Sequence, residues 1–254
     1  MKKSMLIPLL LTFSLIWPNI TSAQPESVDP NVIKHHITPI LLNNYGIQYE
    51  RMLTPRISVA LNGRLMPKGK VPLQGLLEPI MGDVFNLVNP DDLRVGGSAV
   101  SPEVRFYFGQ HAGPRGFYLA PYVSFSNYKA TLTDFAFSLM NEQGQNQTRY
   151  TDMEANINGI TGGLLVGAQW KLGKMLYLDW WILGGSYGQA NGNLDALTDY
   201  PLEPVWQEAL RDEIENLDLP LLKIDAEVHD YGMKATLNGP WAGIKGGLSL
   251  GIRF

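Results

Sequence analysis

Four histidines, a set of charges set into apolar segments and one acidic cluster are the parts of this chain that could do chemistry. His35 and His36 are adjacent, while His111 and His229 stand alone. An imidazole acts as a general base when a serine and an orienting group flank it. No serine or acid stands at a spacing that would bring it to any of the four. Neighbours on a strand point to opposite faces, so His35 and His36 do not converge on one metal ion. Asp91 and Asp92 beside Asn89 offer oxygens, but calcium takes six or more, and two adjacent acids are a weak signal. There is no cysteine, which removes disulfides and thiolate metal sites. These residues lead us to expect no enzyme activity, no cofactor and no metal.

The charges need elements to position them. Eight segments read as strands: residues 32–41, 45–53, 57–65, 100–108, 117–128, 157–171, 176–187 and 242–254. Several alternate apolar with polar or small residues, the period of a strand with two unlike faces. Ile57, Val59, Leu61 and Leu65 alternate with Ser58, Ala60, Asn62 and Arg64. By the same parity Glu50, Arg64, Glu103, Arg105, Lys171, Asp179, Lys245 and Arg253 share the polar face. Charges of both signs facing one interior must pair, because an unpaired buried charge costs several kcal/mol, roughly 3–5. The expectation is a structural salt-bridge network that plugs the interior. An ion-selective constriction is the functional alternative.

The ends of the chain say where such strands belong. Lys2 and Lys3 precede the mostly apolar stretch 5–17, and Thr21-Ser22-Ala23 supplies the small residues of a cleavage site. This is the pattern of a secretory signal peptide, residues 1–23, followed by a leader, 24–30. Its loss would leave 18 basic against 24 acidic residues, a mildly acidic chain with no case for nucleic acid. At the other end Leu248, Leu250, Ile252 and Phe254 alternate with Gly247, Ser249, Gly251 and Arg253. A last strand ending in an aromatic resembles the signal that the outer-membrane assembly machinery reads. Charged residues are only 17%, against roughly 25% in ordinary soluble domains. After the signal no apolar run is long enough for a spanning helix, and the other structure that satisfies its backbone in lipid is a closed barrel.

The connections alternate in length. Residues 54–56, 109–116 and 172–175 are short, and 66–99, 129–156 and 188–241 are long, with 42–44 a short exception. Short turns on the periplasmic side and long loops outside is the asymmetry of outer-membrane barrels. His111 then falls in a periplasmic turn and His229 in the last outer loop. Phe108, Phe117, Trp170 and Phe254 fall at the short-turn end, where an interfacial girdle would lie, with Tyr45 and Phe125 at the opposite one. In the last long loop Trp206, Leu210, Ile214 and Leu217 follow helical spacing after Pro204, which suits a first turn. That acidic amphipathic helix could lie over the mouth as a lid or bind a partner. Residues 73–88 are also apolar, with Pro79 and Gly82 against a helix there.

Four segments carry a resemblance: Ser101-Pro-Glu-Val-Arg-Phe-Tyr-Phe-Gly109, Gly116-Phe-Tyr-Leu-Ala-Pro-Tyr122, Leu178-Asp-Trp-Trp-Ile-Leu-Gly-Gly185 and Gly239-Pro-Trp-Ala-Gly243. With the glycine-rich last strand and final Phe, residues 31–254 resemble the small domain-of-unknown-function outer-membrane β-barrels of Gram-negative bacteria. The resemblance implies a location and a lipid environment and carries no catalytic residues. The expected molecule is an all-β, eight-stranded antiparallel barrel in the cell outer membrane. Its expected role is envelope-structural or an extracellular interaction through its loops. A narrow porin-like channel is the alternative, and a lipid-modifying enzyme ranks below both.

Overall fold

The computed structural model describes residues 31–73, 89–109, 111–140, 145–215 and 223–254. The expected signal peptide and leader lie outside these residues, as do Leu217 and most of 73–88. The described chain is one antiparallel sheet with one α-helix. Its strands are β1 (Asn31–His36), β2 (Tyr45–Thr54), β3 (Ile57–Lys70), β4 (Leu93–Phe108), β5 (Gly116–Met140), β6 (Asn146–Lys171), β7 (Leu176–Leu197), β8 (Lys223–His229) and β9 (Gly232–Arg253). A 3-10 helix, Thr38–Leu42, joins β1 to β2, and α1 (Pro204–Glu215) lies between β7 and β8. Neighbours run β1 through β7, then β9, and β1 pairs back onto β9. Eight strands thus close into a ring, and β8 is attached outside it, along the upper part of β9.

The wall of the ring is uneven. Strand length climbs from 6 residues in β1 through 10, 14 and 16 to 25 and 26 in β5 and β6. Both β7 and β9 have 22. This corrects two expectations. The first strand stops at His36 rather than 41, because Pro39 has no N–H to give a ladder and starts a 3-10 turn instead. The regions 129–156 and 188–241 are not long loops. The first is mostly strand and the second half strand, with β8 an extra strand that the sequence did not suggest.

The physical reason is a change of face. In β6 the outward positions Ile160, Leu164, Val166 and Trp170 are apolar and 41–59% exposed. Further up the same face come Asn158, Asn156 and Glu154. Inward positions reverse in step, from Gln169 and Thr161 to Ile157, Ala155 and Met153. No bulge intervenes on β6 between them, so the register is constant while the polarity inverts. A reader expecting apolar-out strands sees that stretch as a break.

Above the inversion β5, β6, β7, β9 and β8 form an extension with its own core. Trp206, Leu210 and Ile214 of α1 are at most 4% exposed and pack with Phe137, Met153, Leu194, Met233 and Leu237. A bulge between Leu132 and Phe135, with Asp134 at φ 56°, turns Phe135 and Phe137 onto this inner face. Phe137 meets Trp206 edge-on at 5.8 Å. The helix touches β5 and β8, the two edges of the extension, so it closes that five-stranded sheet.

Candidate functional site

The lower interior of the ring holds a layer of charge. Lys34 Nζ lies 2.6 Å from Glu50 Oε2 and 2.7 Å from Asp179 Oδ2. The Arg105 guanidinium reaches Glu103 and Asp179, each at 2.6 Å, and Glu50 at 3.5 Å. All five side chains are fully buried. Lys245 extends to Glu103 at 3.6 Å. Three bases thus face three acids, and the layer is electrically neutral. Neutral donors add to the acids: Ser58 and Tyr107 on Glu50, Tyr118 on Asp179 and the Gln48 amide on Glu103, all within 2.7 Å. Gln169 Oε1 accepts from Lys34 and Arg105. The guanidinium lies over the Tyr118 ring at 4.4 Å. Each of the eight ring strands contributes at least one side chain, from Lys34 on β1 to Lys245 on β9.

Backbone sequence makes room for this layer. Gly251 pairs with Lys34 across the β1–β9 seam, where a Cβ would stand 2.8 Å from the lysine Cγ. On β7, Ile182 is an extra residue between Trp181 and Leu183 in the register with β6. That bulge lets Asp179 and Trp181 face inward while Leu183 faces out, 62% exposed.

Above the layer is an open cavity of about 680 Å³. Its floor is Lys245, Trp181, Tyr122 and His36, and Arg64 and Tyr128 stand higher up. Lys245 Nζ sits 3.5 Å from the Tyr122 ring centre. Arg64 donates to the Tyr128 hydroxyl at 2.9 Å and has no carboxylate partner among the described residues. Among the described residues, no aspartate or glutamate lines the cavity.

His36 is the buried histidine. Ser249 Oγ lies 2.8 Å from its Nδ1, and Asn62 Oδ1 lies 3.2 Å from its Nε2. The amide oxygen can only accept, so it holds the proton on Nε2 and leaves Nδ1 to accept from the serine. Hydroxyl, imidazole and amide are connected as in a nucleophilic triad. Ser249, however, is 1% exposed and does not line the cavity. Sequence spacing could not find this chain, because its members lie on β1, β3 and β9 and meet only when the ring closes.

The other expected residues fall as follows. Glu50, Glu103, Arg105 and Asp179 come together and Lys245 joins them. Arg64 stands apart in the cavity, and Lys171 and Arg253 are half-buried at the lower ends of β6 and β9. Lys34, Gln48 and Gln169 were missed. Lys34 shares the inward parity of Val32 and His36, but Ile33 and His35 on the other face give that strand no clean apolar side to mark it. His35 points outward, as adjacency to His36 requires. Leu248, Leu250, Ile252 and Phe254 are all outward, 38–63% exposed. The acids near Asn89 are already partnered: Asp91 with Lys70 at 2.6 Å, and Asp92 with the Asn89 amide. The Lys70 hydrogen bond and charge hold the Asp91 carboxyl below the usual carboxylate range.

Comparison with protein-family models gives no match for this chain. Comparison with curated proteins gives none either.

Proposed function

We propose that the ring is an outer-membrane β-barrel with a plugged lumen, whose role is structural or interactive at the cell surface. One observation carries this reading: the inversion of polarity along unbroken strands. Below it, large apolar side chains face outward and charges face inward, which water on both sides would not favour. From Ile160 to Trp170 the apolar band on β6 runs about 34 Å along the strand, which at a tilt of about 40° gives a height of about 25 Å, that expected of such barrels. A row of asparagines marks its upper edge. Asn127 pairs in register with Asn158, Asn158 with Asn191, and Asn191 with Asn238. The Asn127 amide donates to Asn158 at 2.9 Å. Above that row the outward positions turn mainly polar, with Asn156 and Glu154 on β6, Asn193 and Asp195 on β7 and Thr236 and Lys234 on β9, while Tyr150 and Leu197 near the top stay apolar. Phe108, Phe117, Trp170 and Phe254, all exposed at the opposite end, then form the periplasmic girdle.

The test is fractionation with heat-modifiability. The mature chain should sediment with the outer membrane and migrate faster unheated than boiled. Recovery as a soluble periplasmic protein would end the membrane reading.

The His36 chain favours a second reading, a membrane-embedded acyl-ester hydrolase with Ser249 as nucleophile and Asn62 orienting the imidazole. The buried position of Ser249 weighs against it. Fatty-acid release from phospholipid micelles that is lost in Ser249→Ala would establish it.

A further inference from the structure

We infer that the cavity is a side-entry binding site for a single-chain amphiphile with an anionic head. The inference rests on the membrane reading above and adds a ligand class and an entry route.

The route comes from the pairing of β9. Its lower residues, 249–253, pair with β1, and its upper residues, 232–238, pair with β8. Among the described residues, 239–247 have no strand partner on that edge. The window has a cause in the sequence. It reads Gly-Pro-Trp-Ala-Gly-Ile-Lys-Gly-Gly, where Pro240 cannot donate to a ladder and the glycines present no side chain to pack. On the far side β1 has already ended at His36, and of the described residues the 3-10 helix stands there. It is tied to the bottom of the window, where Ile37 N–H donates to the Leu248 carbonyl at 2.8 Å and Leu248 N–H to Thr38 Oγ1 at 2.6 Å.

The cavity passes through this gap. It is lined by inward groups such as Arg64 and Lys245, and also by Leu183 and Ile244, which face outward. Ile244 is 88% exposed, more than any other large apolar side chain described. Leu42, 45% exposed, lines the cavity from the 3-10 helix on the opposite jamb. The window lies directly below Asn238, the end of the asparagine row, and so at the depth of the outer half of the apolar band. A chain leaving the lipid there would meet apolar jambs first and a cationic interior second.

Charge chooses the head. Arg64 has no carboxylate partner among the described residues, Lys245 shares only Glu103, and the walls add Ser101, Ser124 and Tyr128 hydroxyls. A carboxylate or phosphate satisfies a guanidinium fork, whereas a neutral head leaves it unpaired. The volume suits one small ligand. The charged layer beneath makes the site a dead end.

The experiment uses the mature protein in detergent micelles with a dansyl-labelled long-chain fatty acid as probe. Saturable binding is expected, with competition by dodecyl phosphate and at least about tenfold weaker binding of the methyl ester. Arg64→Gln should weaken the acid by a similar factor. Gly243→Trp, whose side chain shares the inward parity of Trp241 and Lys245 and fills the cavity beside the window, should abolish binding while heat-modifiable migration persists. Millimolar inorganic phosphate should not compete, since the site needs the chain as well as the head. Equal binding of acid and ester overturns the inference, as does displacement by phosphate alone. So does full binding by folded Gly243→Trp. Should that variant not fold, the acid-against-ester comparison in the wild type decides. Flotation with phospholipid vesicles separates the two readings. A protein that does not float loses the membrane reading, and one that floats without saturable binding loses this inference alone.

Discussion

Asp179 accepts hydrogen bonds from Lys34, Arg105 and Tyr118, and none of those donors has water to fall back on. The same holds around Arg105, whose partners Glu50, Glu103 and Asp179 are fully buried. Because the layer balances three bases against three acids, removing any one leaves an uncompensated charge in a dry interior. Arg105→Met should therefore lower stability by about 3–5 kcal/mol, and Glu103→Ala by a similar amount, in urea unfolding from lipid vesicles. Arg253→Ala, at the half-exposed rim, should cost about 1 kcal/mol or less. The pair Arg105→Met with Asp179→Asn restores neutrality and should cost less than the sum of its members. Additive losses would mean that the side chains act by bulk and not as one network. The acids of this layer were legible from parity. Lys34 was not, because Ile33 and His35 give that strand no clean apolar face.

At the scale of elements, the lower halves of seven strands could be placed from alternation, and their upper halves could not. Residues 129–140 carry Phe135 and Phe137 on the inner face only because a bulge at Asp134 shifts the parity. In β9, Met233, Ala235 and Leu237 are apolar but pack inward with the helix core instead of facing outward. Alternation was present throughout, and what changed was which face carries the apolar residues. The helix spacing was visible because Trp206, Leu210 and Ile214 share one face, but its seat on β5 and β8 depends on strands that read as loop. The extension has a core separate from the charged layer, so its stability should be separable too. Leu210→Ala should cost the extension about 2–5 kcal/mol. Limited proteolysis should then cut within 198–240 sooner, while the heat-modifiable ring persists. Loss of both together would show that ring and extension unfold as one unit. Phe254 belongs to the same scale, as the end of the strand that closes the ring. Changing it to Asp should lower the amount inserted in cells more than refolding from urea into detergent, which bypasses the assembly machinery. Equal insertion in cells would remove its assembly role.

The whole molecule combines a blocked floor with a wall that is high on one side and low on the other. Every ring strand reaches into the floor, and Arg105 and Tyr118 fill its middle, stacked at 4.4 Å. A ring of eight strands has little interior beyond its side chains, so no continuous water path should survive this layer. The wild type should accordingly show no single-channel steps in planar bilayers at moderate voltage. Removing bulk and charge together, with Arg105→Ala and Tyr118→Ala in one protein, should produce small ion-conducting steps. Cation preference is expected, because Glu50, Glu103 and Asp179 would then face only Lys34 and Lys245. The Gly243→Trp substitution should not restore the block, since it fills the cavity above and leaves the floor cut. A wild type that conducts like an open pore would remove the plugged-lumen reading and put the channel in its place. A silent double variant would instead place the block in the extension above, where α1 packs across the five strands.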